Sequence, residues 1–113
     1  MMSQSDSTTT VAELRKLVAD FVAERDWSQF HSPKNVSMAL AIEAAELMEH
    51  FQWLTPSQSL KLDNTARREV TLEIADVLLY LVRLADVLDI DVVAAAREKI
   101  ALNAQKYPAG GGL

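Results

Sequence analysis

Apolar residues recur at helical intervals along nearly the whole chain, while Pro33, Pro56, Pro108 and Gly110 to Gly112 stand outside those stretches. No Val/Ile/Thr run alternates with period two, so the pattern predicts helices and no sheet. Thr10 and Glu13 have capping-box spacing, and Leu14, Leu17, Val18, Phe21 and Val22 make one apolar stripe. They predict a first helix that fades near Arg25-Asp26. Trp27 to Ser32 forms a connector. A second helix opens at Ser32-Pro33, with Pro at a tolerated first position, and runs to about Leu54, where Thr55-Pro56 stops it. Ser57 to Asn64 is a polar loop. A third helix covers about Thr65 to Leu88, and a fourth, capped by Asp91, runs from Val92 to about Lys106 and ends at Pro108.

Four helices with short connections predict an all-α, four-helix bundle over residues 10–108. Residues 1–9 are expected to be disordered and 109–113 to form a flexible tail. Between Val70 and Leu88 apolar residues cover most of the helix circumference, and such a helix must be buried nearly all round. Three sibling helices can hardly cover it, so the pattern predicts a homo-oligomer.

The chain has 113 residues, enough for one small domain. It contains no Cys, which excludes a disulfide framework and any thiolate-ligated zinc or iron–sulfur site. A net charge of −5 argues against a general nucleic-acid binder. No apolar run approaches the roughly 20 residues a bilayer needs, so no membrane partner is expected. Met1 to Thr10 has neither the basic nor the apolar region of a secretory signal, and a cytoplasmic location is the expectation.

Candidate chemistry lies in the acids that interrupt the apolar helices. Glu43, Glu46, His50 and Trp53 follow steps of 3, 4 and 3 on the second helix. Glu69, Glu73, Asp76, Tyr80 and Arg83 follow steps of 4, 3, 4 and 3 on the third. Each set holds one face, drifting by about 20° per seven residues. Glu43, Glu46, Glu73 and Asp76 have no Lys or Arg three or four residues away. If the two helices face each other, four carboxylates converge, and they must take up protons or bind a hard cation. Oxygen-only ligation favours Mg²⁺ or Mn²⁺, and Mg²⁺ commonly completes its shell with phosphate oxygens. A solvated acidic face is the alternative. Di-iron chemistry is argued against, because Glu-x-x-His steps are missing.

Glu43-x-x-Glu46 followed by Glu73-x-x-Asp76 resembles the signature of the MazG-like, all-α nucleoside triphosphate pyrophosphohydrolases. Phe21 to His31, Glu46 to Trp53, Asp76 to Val82 and Lys106-Tyr-Pro108 resemble the dCTP pyrophosphatase branch. The resemblance covers about residues 11–108. It implies Mg²⁺-dependent hydrolysis between the α and β phosphates, giving monophosphate and pyrophosphate, with dCTP or modified cytosine deoxynucleotides as expected substrates in nucleotide-pool sanitation. Glu43, Glu46, Glu73 and Asp76 would be the metal ligands, and Glu49 is a candidate general base. Trp27 and Trp53 match aromatic positions around the nucleobase, where stacking contributes affinity with little discrimination. His31 and Asn35 could hydrogen-bond base or sugar, and Tyr80 joins the substrate-binding set. Lys99, Asn103 and Tyr107 resemble a segment that helps hold the triphosphate, and Lys34 and Lys106 could add charge.

One departure concerns Val18, which stands where animal members of that branch carry a base-side His; losing a hydrogen-bonding group weakens discrimination. The loop from Ser57 to Asn64 is also short. The resemblance further implies active sites near subunit contacts and a tetramer built as a dimer of dimers. A helical dUTPase, a broad triphosphate pyrophosphatase and a non-catalytic oligomerisation module are the rival expectations.

Overall fold

Each α-helix begins where a short polar side chain accepts from a backbone N–H of its first turn. In the computed structural model, which describes residues 4–110, five α-helices form and no strand is found among the described residues. Residues 1–3 and 111–113, the outer parts of the expected N-terminal segment and tail, lie outside that range. Helix α1 spans Val11–Glu24, α2 Pro33–Glu49, α3 Pro56–Ser59, α4 Asn64–Val87 and α5 Val92–Lys106. Thr10, Ser32, Asp63 and Asp91 cap α1, α2, α4 and α5 by accepting from Glu13, Asn35, Ala66 and Ala94 backbone N–H groups at 2.8–3.1 Å. At Thr10 only this forward arm of the expected capping box forms.

Two boundaries differ from the sequence expectation. Helix α2 stops at Glu49 rather than Leu54, and residues 50–54 continue as turns. The expected polar loop holds α3, because Thr55 and Gln58 make a complete capping box, with reciprocal bonds of 3.1 and 2.9 Å. Helices α1 and α4 end alike. Asp26 (φ 56°) and Asp89 (φ 55°) take the left-handed conformation usually given to Gly. Trp27 N–H then reaches back to the Val22 carbonyl at 3.0 Å, and Ile90 N–H to that of Ala85 at 2.8 Å. The first of these turns aims Trp27 back along α1.

Helix α4 is the axis of the fold and packs against α2 and α1. Its Val70, Val82 and Ala85, with Val22 of α1 and Val36 of α2, are the buried apolar residues. The expected four-helix bundle does not close within one chain. Helix α5 makes no extensive contact with another helix among the described residues, and every residue along it but Val92 is exposed. Helix α4 also leaves Leu72, Ile74, Leu78 and Leu81 about half exposed, although their pattern calls for burial. The chain exposes 8977 Å², whereas a compact monomer of its mass exposes about 6200 Å². Its radius of gyration is 16.9 Å, against about 13 Å for a compact chain of this length. The excess is apolar helix surface. Among the described residues no helix is long and apolar enough to cross a membrane.

Val36, only 1% exposed, is the most buried side chain of α2, which packs against α4. Val36→Ala should lower the unfolding free energy by about 2 kcal/mol, measured by urea denaturation. An unchanged midpoint would show that this contact does not hold the helices together.

Candidate metal centre and adjoining cleft

The acid steps on α2 and α4 meet because the two helices pack side by side. Glu43 of α2 and Glu73 and Asp76 of α4 each bring one carboxylate oxygen to within 4.8 Å of the others. Glu43 and Glu73 are partly buried, while Asp76 lies at the open side. Glu46 adjoins Glu43 from the next turn, outside the tight trio. No Lys, Arg or His forms an ion pair with any of the four among the described residues.

Such a cluster is costly without a cation. The Glu43 carboxyl is pushed up to about 8, first by sharing a proton with the Glu73 carboxylate, then by burial, then by Glu46. Glu43 Oε2 and Glu73 Oε1 are buried and have no hydrogen-bond partner. Buried polar atoms are normally satisfied, so two orphaned carboxylate oxygens side by side fit a missing cationic ligand. The donor set is all oxygen, which suits a hard divalent ion.

Next to the trio, α1 and α4 enclose a cleft of about 480 Å³ lined by Val18, Phe21, Trp27, His31, Tyr80 and Arg83, with Asp76 also on its wall. Asp76 thus belongs to both the acid cluster and the cleft. Trp27 meets Phe21 edge-to-face, with ring centres 5.6 Å apart. Asn35 donates through Nδ2 to the Phe30 carbonyl at 3.0 Å, so it clips the loop that carries His31. Burial, and then the positive charge of Arg83, holds His31 below the ordinary histidine range.

The other expected site residues lie elsewhere on the chain. Trp53 is 87% exposed and outside the cleft. Lys99 and Asn103 are exposed on α5, with Tyr107 just beyond its end. Glu49 closes α2, is exposed, and stands apart from the trio. His50 lies 4.0 Å from Glu69. The structure thus gathers Glu43, Glu73 and Asp76 at one point, with Glu46 adjoining Glu43, and Trp27, His31 and Tyr80 in the cleft beside it. Arg83 received no role from the sequence. The signal was available: it follows Asp76 by seven and Tyr80 by three, on the same face.

The raised Glu43 carboxyl sets a pH dependence with a definite sign. In the unfolded chain this acid ionises near its ordinary value, while in the metal-free fold it keeps its proton to about pH 8. The folded state therefore binds more protons between those limits, and stability of the metal-free protein falls as pH rises through them. A divalent ion displaces that proton, so the rise in Tm with Mg²⁺ should be larger at about pH 9 than at about pH 6. Glu43→Gln should remove the difference. Equal Mg²⁺ shifts at both pH values in the wild type would contradict it.

The chain is similar to several known proteins. The MazG-like family model matches residues 38–112, which include all four acids. A model of the MftR C-terminal domain matches residues 3–72, a span that stops short of Glu73 and Asp76. The chain is 42% identical over 102 residues to dCTP pyrophosphatase 1 of Homo sapiens and 41% over 104 residues to that of Rattus norvegicus, matching 88% of this chain in both cases. It spans about three-fifths of the length of those relatives, 60% and 59% respectively. The crystal structure of a pyrophosphatase from Archaeoglobus fulgidus superposes with a TM-score of 0.82 at 35% identity, covering 96% of this chain and 98% of the other.

Proposed function

The chain belongs to the MazG-like family, and on that footing we propose that it is a nucleoside triphosphate pyrophosphohydrolase that cleaves between the α and β phosphates. The observation that carries this reading is the position of Asp76, shared between an uncompensated carboxylate trio and an aromatic-walled cleft. A triphosphate whose base enters the cleft would lead its phosphates to the acids. The similarity to dCTP pyrophosphatases favours dCTP or a modified cytosine deoxynucleotide as substrate, in a cytoplasmic role of clearing the nucleotide pool.

Glu43, Glu73 and Asp76, with Glu46 beside them, would hold the divalent ion, which we take to be Mg²⁺ with Mn²⁺ as a substitute. When bound, such an ion neutralises triphosphate oxygens and acidifies a ligated water. Trp27 and Tyr80 offer faces for the base. Water attack forms one P–O bond and breaks the α–β anhydride, releasing nucleoside monophosphate and pyrophosphate. A carboxylate outside the trio takes the proton. Glu49 is our candidate for that role, and Glu46 competes because it adjoins Glu43.

We further propose that the working form is a homo-oligomer, a tetramer arranged as a dimer of dimers. Trp53, Lys99, Asn103 and Tyr107 stand away from the cleft of their own chain, on surface that the chain leaves uncovered. In an assembly they would reach a neighbouring site, with Trp53 against the base and the α5 residues on the phosphates.

Val18 favours a second reading of the substrate. It lines the cleft and offers no hydrogen bond, so a broader pyrimidine or general triphosphate preference is the alternative. Pyrophosphate release from dCTP, dUTP, dTTP, dATP and dGTP with Mg²⁺ separates the two. The cytosine reading predicts dCTP ahead by at least about tenfold in kcat/KM, and equal turnover of all five would defeat it. Glu46→Gln and Asp76→Asn should each lower kcat by about 100-fold or more. Wild-type activity in both variants would remove those acids from the site.

A further inference from the structure

His31 is held from behind by a run of charged groups that crosses from α1 to α4. Arg83 Nε donates to His31 Nδ1 at 3.0 Å. The same guanidinium donates through Nη1 to Asp86 Oδ2 at 3.3 Å. The other Asp86 oxygen, Oδ1, receives Arg15 Nη2 of α1 at 3.3 Å, and Arg15 Nη1 also binds the Ile90 carbonyl at 2.6 Å. The Arg83 side chain is 11% exposed. It is therefore fixed at both ends, by Asp86 and by His31.

This contact dictates where the imidazole keeps its proton. A guanidinium has five donors and no acceptor, so the ring nitrogen it meets must carry a lone pair. Nδ1 is thus unprotonated, and the N–H of the neutral ring lies on Nε2. Nε2 has no protein acceptor among the described residues, and His31 lines the cleft. Without Arg83, either tautomer would be accessible and the free nitrogen could donate or accept. With it, His31 offers a donor only.

Given the reading of the cleft as the base site, on which this step rests, we propose that Arg83 is a positioning residue that locks His31 as a donor, so that the site accepts cytosine and rejects uracil and thymine. Cytosine presents acceptors at N3 and O2. O2 accepts in all three bases and does not discriminate. With Nε2–H facing position 3, cytosine accepts at N3, whereas uracil and thymine carry a hydrogen there and oppose donor with donor, leaving both without an acceptor. This device would supply base discrimination where Val18 supplies none.

The first test needs no substrate. Long-range ¹H–¹⁵N correlation spectra of the protein, which has only two histidines, with His50→Gln used for assignment, should show His31 as a single neutral Nε2–H tautomer. Arg83→Met should give averaged tautomer signals and Arg83→Lys a partial return. In the same variants the dCTP-to-dUTP ratio of kcat/KM should fall by about tenfold for Arg83→Met and recover in part for Arg83→Lys. An Nδ1–H tautomer in the wild type would overturn the lock even if Arg83→Met failed to fold. A shifted tautomer with an unchanged substrate ratio would confirm the lock and overturn its role in base selection. Absence of pyrophosphate release from every triphosphate would instead defeat the hydrolase reading and leave the tautomer result standing.

Discussion

Mutual repulsion of carboxylates, held together by apolar packing, is the constraint on which the rest of this structure depends. Two like charges about 4 Å apart repel by roughly 4 kcal/mol at an effective dielectric near 20. Glu43, Glu73 and Asp76 bring carboxylate oxygens within 4.8 Å of one another, with Glu46 alongside, so the repulsion is only slightly smaller. The packing of α2 against α4 keeps them there. The metal-free fold answers the repulsion by keeping a proton on Glu43. A divalent ion would answer it better, because it could also engage the unpartnered oxygens of Glu43 and Glu73.

From this constraint the remaining geometry follows. Helix α4 carries Glu73 and Asp76 toward α2, and one to two turns further on presents Tyr80 and Arg83 to the cleft beside α1. The left-handed Asp26 turns Trp27 back onto Phe21, which forms one wall. Asn35 and Arg83 then fix His31 at the mouth of the same cleft. A charge-binding point and a base-sized, mostly apolar recess thus share a single residue, Asp76.

Much of this was legible in the residues themselves. The capping residues Thr10, Ser32 and Asp91 mark helix starts directly, because a cap is a local interaction. The i,i+3 acid pairs reveal which helix faces must meet, since a period of 3.6 fixes faces whatever the tertiary packing. What was not legible depends on contacts made far along the chain. The end of α2 at Glu49 and the short α3 were hidden because an apolar pattern through Phe51 to Leu54 does not tell a helix from a series of turns. The Arg83–His31 contact spans 52 residues, and no local spacing announces it. Helix α5 has the periodicity of a packed helix but makes no extensive contact with another helix among the described residues. Its pattern reports a surface to be covered and not what covers it.

The account stands or falls on a divalent ion seated among the α2 and α4 carboxylates. Electron paramagnetic resonance of Mn²⁺ titrated into the protein measures this directly, because bound Mn²⁺ loses the sharp signal of the free ion. We expect the free signal to be suppressed in the wild type until the sites fill, and to be nearly full from the first addition in Glu73→Gln. An unsuppressed signal in the wild type, or equal suppression in the variant, would contradict the account.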